Sequence, residues 1–491
     1  MLRHWCSTSL SLLIAGLLSS EAVSAKDFEN TAIVRQVDLA GSLVQATTTY
    51  AVKALRDGAD VYTVALSTQD KERTSWMEAR LKGQQKALVW HARPLDTPKT
   101  DYHFVDIKLP KRLGLNETLN IVLDTVQTHA TKPWPEQSAQ KDEQALIYKT
   151  GLYVISPYRT LVQRTKLKSP SPRIISHTEL EDISFATGAP FTKSGSTVTY
   201  GPFNNIPPSS NEAFLEKHQD EVLIHFHYDH PVLEVLKLRR AVEVSHWGAN
   251  LNIQDDIHLR NAGPKLKGHF SRLDHQAQAF YKKPAPHVLP SLTLHLPPGI
   301  RNTYYYDLIG NVSTSRLRAA PRLPRGSNAK LSSVLELRPR YPLLGGWNYT
   351  FTLGWDAPLG DSASYDSKTG KYYVKVPIMT VIPGAVVDEA EVKVTLPEGA
   401  DDFEFTPPFP AKSMWISTEK TYLDTSGRPT LTFEYNDLTA KHDGYIYVSY
   451  RVPISAHFQK PVAVSAAFMG LFVLAIFWRR IDLRIHKTKK A

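Results

Sequence analysis

From Phe28 onward, apolar and polar positions alternate with a period of two through short runs rich in Val, Thr and Tyr: TAIVRQVDLAG, SLVQATTTYAVKAL, DVYTVALS, KALVWHA, YHFVDIKLP and ETLNIVLDTV. Successive side chains of a strand point to opposite faces, so this alternation marks strands with one buried face. Turn residues interrupt the runs about every ten residues, the spacing of antiparallel strands packed as sandwiches. Prolines fall between the runs (Pro94, Pro98, Pro133, Pro135; Pro284, Pro286, Pro290; Pro407, Pro408, Pro410), where a missing N–H costs no ladder bond. Helical periodicity is scarce. One amphipathic helix is predicted at Asn211 to Gln219, after the breaker Pro207-Pro208-Ser209-Ser210, and another within His269 to Tyr281.

Near residue 236 the pattern restarts. RAVEVSHWGANLNIQDDIHLRNAG (Arg240 to Gly263) has the layout of TAIVRQVDLAGSLVQATTTYAVKAL (Thr31 to Leu55): a β-branched strand, a small-residue turn, then a long alternating strand. The expected fold is therefore mainly β, with two tandem antiparallel β-sandwich-like domains, 26–235 and 236–455, and a juxtamembrane link at 456–461. A single C-terminal transmembrane helix follows at 462–478.

That last element is the run Val462 to Trp478 (VAVSAAFMGLFVLAIFW), which carries no charge. As a helix it is roughly 26 Å long, enough for a thin bilayer such as that of the endoplasmic reticulum. The basic tail 479–491 (Arg479, Arg480, Arg484, Lys487, Lys489, Lys490 against Asp482) resists translocation, which puts it in the cytoplasm and the bulk of the chain in the lumen. At the other end, Arg3 and His4 precede the apolar core Leu10 to Leu18 and the small residues Val23-Ser24-Ala25. This is the layout of a signal peptide, 1–25, cleaved between Ala25 and Lys26. Cys6 leaves with it, so the mature chain has no thiol for a disulfide and must rely on packed cores. Within the apolar run Ala463, Ala466, Ala467 and Gly470 share one helical face, opposite Phe468, Leu471 and Phe472. Small residues on one face allow a neighbouring helix to approach closely.

Charge excludes little beyond nucleic acid. The net +10 of the whole chain leaves +5 once the tail's +5 is set aside, and no dense basic face stands out. HExxH, GxSxG, P-loop and GxGxxG motifs are all absent, so no catalytic residue and no cofactor is expected. The most metal-like cluster is HFHYDH, where His225 and His227 share a strand face and Asp229 or His230 could add a ligand. The simpler reading has these histidines on an exposed face, with Phe226 and Tyr228 turned inward. The acid pairs Asp255-Asp256 and Asp401-Asp402 and the group Glu179, Glu181, Asp182 read as solvated loops, because adjacent acids on a strand face opposite ways. No metal site is therefore expected.

Three Asn-x-Ser/Thr sequons, at Asn116, Asn311 and Asn348, are glycan acceptor candidates in a lumenal protein, and each must then lie on the surface. Lys487 and Lys489, fifth and third from the end, have the placement of a dilysine retrieval signal.

Several segments carry a resemblance in order along the chain: YKTGLYVISPYRTLVQRTKLKSPSPRIISHTE (148–179), YGPFNNIPP (200–208), VSHWGANLNIQDDIHLRNAGPKLKGHFSRLDHQ (244–276), YYYDLIGNVSTSRL (304–317), LELRPRYPLLGGWNYTFTLGW (335–355) and VTLPEGA (394–400). They resemble the ribophorin I family, the alpha subunits of the oligosaccharyltransferase complex. The resemblance implies a non-catalytic subunit of the complex that moves a preassembled glycan from dolichyl diphosphate to asparagine in nascent chains. It implies as partners the other subunits, including the many-spanning catalytic one whose WWDYG motif this chain lacks, together with membrane lipid and nascent glycoprotein substrates. An adhesion or receptor ectodomain would share the β-rich, single-pass layout, and the dilysine-like tail speaks against it. A third reading, an enzyme related to metallopeptidase β domains, has no metal motif to support it.

Overall fold

The computed structural model describes residues 27–94, 102–181, 183–281, 285–322, 331–421 and 424–481. The expected signal peptide, its expected Ala25/Lys26 junction, Asp182, Lys487 and Lys489 lie outside the described residues. The chain is mostly β, built on two long sheets. The first has seven strands, in the order Phe191–Ser194, Thr197–Ile206, Thr160–Lys168, Phe28–Asp38, Leu43–Ala54, Thr118–Thr128, Thr74–Leu81. The second has eight: Gly310–Asn311, Arg301–Asp307, Asn348–Pro358, Asn250–Asn261, Leu233–Ser245, Val386–Thr395, Arg428–Leu438, Ser413–Glu419.

The two sheets share a plan. In each, the founding strand (Phe28–Asp38 or Leu233–Ser245) pairs antiparallel with the next strand in sequence and parallel with a much later one, Thr160–Lys168 or Val386–Thr395. The parallel pairs depart from the all-antiparallel expectation. Such a pair needs a long crossover, and here the crossover forms further strands of the long sheet together with part of the covering sheets. Alternation does not reveal this, because a parallel strand with one open face has the same period of two. The expected domain boundary at 235/236 falls inside the strand Leu233–Ser245.

Each long sheet buries one face under two small sheets laid end to end. In the first half, Val37, Val44 and Leu167 pack against Tyr148, Ile224 and Phe226 of a four-stranded sheet. Ile33, Tyr50 and Ile121 pack against Tyr62, Val64 and Ile107 of a three-stranded one. In the second half a single core joins Val242, Ile253 and Phe351 to Leu294 and Leu335 on one side and to Val376 and Val448 on the other. Each such side chain contributes ~1.5–3 kcal/mol when fully buried.

Both founding strands carry an arginine on the covered face. Arg240 is 1% exposed and makes a two-pronged pair with Asp255, directly opposite, at 2.7 and 2.6 Å. Its remaining terminal nitrogen donates to the carbonyls of Pro377 and Met379. Asp255, expected in a solvated loop, is therefore buried as a counter-ion, while Asp256 accepts from Thr352 Oγ1 on the other side of the strand. Asp401 and Asp402 are exposed, as expected, but start a strand, and Asp402 pairs with Lys371. Glu179 and Glu181 lie outside strands and helices.

The two helices read from sequence form as Glu212–His218 and Arg272–Phe280. Asn211 caps the first, its side chain accepting from the Phe214 amide at 2.7 Å. The C-terminal helix runs from Ile454 to Arg480, so residues 456–461, expected as a link, are its first turns and include Pro461. These turns stay helical because they dock on the second half. Ala456 sits against Gly399, where a Cβ would come within 2.6 Å of the Ala456 Cβ and φ is +76. Lys460 reaches Asp424 at 2.7 Å, and the Asp424 side chain is fully buried. Burial pushes that carboxyl up, yet hydrogen bonds from Lys460 and Thr421 and the charge of Arg428 hold it at about 2. The rings of His457 and His246 stack at 5.6 Å, and His246 Nε2 lies 2.8 Å from the Tyr450 hydroxyl.

Burial, helped by the charge of His457, lowers His246 to about 4. An unfolded histidine titrates near 6.5, so between these values only the unfolded state takes up the proton. Stability from this docking is complete above pH ~6.5 and is lost as pH falls toward 4. Thermal unfolding of the full chain in detergent is expected to show a smaller acid-induced fall in Tm for His246→Phe, which keeps a ring but cannot titrate. Identical pH slopes for the two proteins would contradict a neutral, docked His246.

Candidate functional site

Polar chemistry collects in three places: a cavity in the first half, the junction between the halves, and the C-terminal helix. The cavity, about 610 Å³, lies where the two small sheets meet over the seven-stranded sheet. Its floor is Arg35, 6% exposed and opposite Thr48 on the neighbouring strand. With no carboxylate across the strand, the guanidinium donates to Thr150 and approaches Asp70 at 3.9 Å. Gln127 donates to Asp70 at 2.9 Å and accepts from the Tyr148 hydroxyl. Glu212 and Glu216 of the short helix line the mouth, which makes the cavity acidic around one buried cation.

The halves meet through several polar links. Gln137–Ser138 pairs in parallel with Lys265–Leu266, and Gln140 exchanges two hydrogen bonds with the backbone of Ser271. Ser42 donates to the Leu233 carbonyl at 2.9 Å. His129, just past the strand Thr118–Thr128, points Nδ1 at Glu234 (3.0 Å) and Nε2 at Asp388 (2.9 Å). Hydrogen bonds to Asp388 and Glu234 push His129 up to about 10. Beside these links a groove of about 610 Å³ separates Trp76, Trp90 and Phe104 from Phe409 and His442. Lys441 lies over the Trp76 ring at 5.1 Å and Arg93 over Phe104 at 5.7 Å. Burial lowers His442, and burial with the charge of Lys71 lowers His103, so the groove's two imidazoles are neutral at pH 7.

The residues singled out by sequence are scattered. The strand of HFHYDH ends at His227, leaving Asp229 and His230 off the face where a third ligand was considered. His225 Nε2 is 2.9 Å from the Trp134 carbonyl, His227 Nδ1 is 3.3 Å from Glu143, and Asp229 pairs with Arg173. Phe226 points into the core, so the period of two holds through the motif. Asn116, Asn311 and Asn348 are all exposed, the first in the turn before Thr118–Thr128 and the other two on strands.

The C-terminal helix is long and apolar enough to cross a membrane, and its apolar window is not buried inside the molecule. Ala466, Ala467 and Gly470 are exposed, Ala463 is half-buried, and a Cβ on Gly470 would meet nothing within 4 Å. The hollow along the helix is lined by Pro461, Ser465, Ala466, Met469, Gly470 and Val473. Ala466 and Gly470 thus belong to it, while Ala463 and Ala467 flank it.

Sequence reasoning missed the His129, Glu234, Asp388 group and the Lys460–Asp424 anchor. Neither has a local signature, since His129 and Asp388 are 259 residues apart. Only the side-by-side placement of the two sheets unites them.

Comparison with known proteins gives one consistent result. Residues 28–479 match the family described as Ribophorin I. The Arabidopsis thaliana protein named dolichyl-diphosphooligosaccharide–protein glycosyltransferase subunit 1B is 30% identical over 485 residues, covering 97% of this chain and 98% of the relative. A Caenorhabditis elegans protein named subunit 1 of the same transferase is 30% identical over 469 residues, 94% of this chain and 74% of the relative. Among solved structures, leukotriene A4 hydrolase from Saccharomyces cerevisiae overlaps 44% of this chain and 32% of its own, at 12% identity and a TM-score of 0.26. An M1 zinc metallopeptidase from Deinococcus radiodurans overlaps 45% and 48%, at 13% and 0.23. Overlaps this slight carry no argument about fold or chemistry. The family match runs through both long sheets and on to the end of the apolar helix, and the chain belongs to the ribophorin I family.

Proposed function

We propose that this chain is a non-catalytic subunit of an oligosaccharyltransferase, the complex that transfers a preassembled oligosaccharide from dolichyl diphosphate to Asn of Asn-X-Ser/Thr in nascent chains. The observation that carries the reading is family membership across residues 28–479, together with relatives named as subunits of that transferase. Its role is structural: it stabilises the complex and presents glycoprotein substrates from the lumenal side. The helix 454–480 is the membrane anchor, and its face of Ala463, Ala466, Ala467 and Gly470 is where a neighbouring subunit's helix, the many-spanning catalytic subunit included, approaches closely. Affinity purification of the tagged chain in mild detergent should recover the other transferase subunits. Gly470→Leu should reduce that recovery severalfold while membrane insertion is unchanged. Recovery of none of them with the unaltered chain would refute the subunit reading, and full recovery with Gly470→Leu would remove the helix face from it.

The β region lies in the lumen of the endoplasmic reticulum after cleavage between Ala25 and Lys26, with glycans on two of the three acceptors Asn116, Asn311 and Asn348 and with Lys487 and Lys489 returning escaped molecules. Exposure of all three asparagines supports the acceptor assignment, and the basic tail supports the orientation. Endoglycosidase H digestion tests these assignments together. The chain from cells should shift in mass and be fully sensitive, and a reporter bearing residues 456–491 should become partly resistant when Lys487 and Lys489 are both changed to Ser. A chain with no glycan would place the β region outside the lumen, and a fully sensitive Ser form would deny the signal.

A further inference from the structure

The junction that joins the halves through His129 also places a third carboxylate there. One ring nitrogen of His129 and one carboxylate oxygen each of Asp388 and Asp437 all lie within 4.8 Å of one another. Asp388 comes from the strand Val386–Thr395 and Asp437 from Arg428–Leu438, neighbours in the eight-stranded sheet, while His129 comes from the seven-stranded one. We propose that His129, Asp388 and Asp437 form a site for one divalent ion of the zinc or manganese type, with Glu234 holding the imidazole in place.

Three observations carry this. The first is the orientation of the ring. Metal-bound histidines give their far nitrogen to a carboxylate, which fixes the tautomer and aims the ligating nitrogen. Here Glu234, 6% exposed, holds Nδ1 at 3.0 Å and leaves Nε2 facing Asp388. The second is distance: ligands about 2.0–2.2 Å from a common ion are at most ~4.4 Å apart. Nε2 and Asp388 already meet this at 2.9 Å, and a small turn of the exposed Asp437 side chain completes it.

The third is an imbalance of charge. Asp388 accepts from His129, but among the described residues nothing donates a hydrogen bond to the Asp437 carboxylate. A proton on Nε2 leaves three carboxylates facing one imidazolium. An ion that displaces that proton releases one positive charge and brings two, and it gives Asp437 a partner. One imidazole nitrogen with two carboxylate oxygens suits zinc or manganese better than calcium, which takes an all-oxygen shell. Water would complete the shell at this exposed site. Bound there, the ion would pin the two sheets to each other.

The test uses the full chain purified in mild detergent, stripped with a chelator, and titrated separately with zinc, manganese and calcium by calorimetry. One zinc or manganese ion per chain is expected with Kd below about 10 µM, with Tm rising when the ion is added in excess. Asp437→Gly removes the carboxylate, tolerates the positive φ of 52 at this position, creates no glycan acceptor ahead of Leu438-Thr439, and leaves His129 with Glu234 and Asp388. It should weaken binding at least about tenfold with little change in the metal-free Tm. The proposal is overturned if neither zinc nor manganese binds at about 1 mM. It is overturned equally if Asp437→Gly binds as tightly as the unaltered chain, or if calcium binds as tightly as zinc and manganese.

Discussion

A sheet seven or eight strands wide with one apolar face must be covered along its whole width, and no single small sheet here is wide enough. Two small sheets therefore share each long one. Beneath this cover each founding strand carries a buried arginine, Arg35 opposite Thr48 and Arg240 opposite Asp255. A buried guanidinium without a partner would cost several kcal/mol, which only close, well-aligned acceptors offset. In the second half Asp255 stands directly opposite and two carbonyls take the remaining donors, so the layers close into one continuous core. In the first half Thr48 stands opposite, the nearest carboxylate is 3.9 Å away, and the core divides in two around a cavity. The two arginines thus stand at matching positions of a repeated plan with different partners, aspartate opposite one and threonine opposite the other.

The same economy of contacts sets how the β region stands on its helix. Lys460 projects from the helix into a pocket of buried acceptors, and Asp424 is held ionised there by Thr421, Arg428 and the lysine itself. Ala456 fits against a glycine and His457 against a neutral histidine, so with Lys460 one side of the first turns is engaged. The helix therefore leaves the β region at a set angle. The junction between the halves is tied as firmly, by backbone pairing, by Gln140 and by His129. For a subunit whose work is to hold a position within a larger assembly, rigidity from sheet to membrane is the useful property.

Much of this was legible in the sequence. The period of two gave the strands, Asn211 and the prolines before it gave a helix start, and the uncharged run gave the apolar helix. Phe226 inside HFHYDH turned inward as alternation requires. What was not legible depends on which strands become neighbours. Parallel pairing of Phe28–Asp38 with Thr160–Lys168 leaves no mark on either strand's own pattern. Asp255 looked like a surface acid because its neutralising arginine is on another strand, and residues 456–461 looked like a linker because their partners lie in the β region. His129 drew no notice, since its charge is meaningful only beside Glu234 and Asp388.

The central claim, that both halves and the helix move as one body, is open to direct measurement of distances by pulsed electron resonance. Outside the proposed signal peptide the chain has no cysteine, so spin labels attach only to cysteines placed at chosen exposed sites. Label pairs at Lys86 and Thr418, and at Thr418 and Ser465, in chains reconstituted into lipid discs, report on the junction and on the helix root. One narrow distance population for each pair is the predicted result. A broad or multiple population for the pair across the helix root, or across the junction, would contradict the claim at that joint.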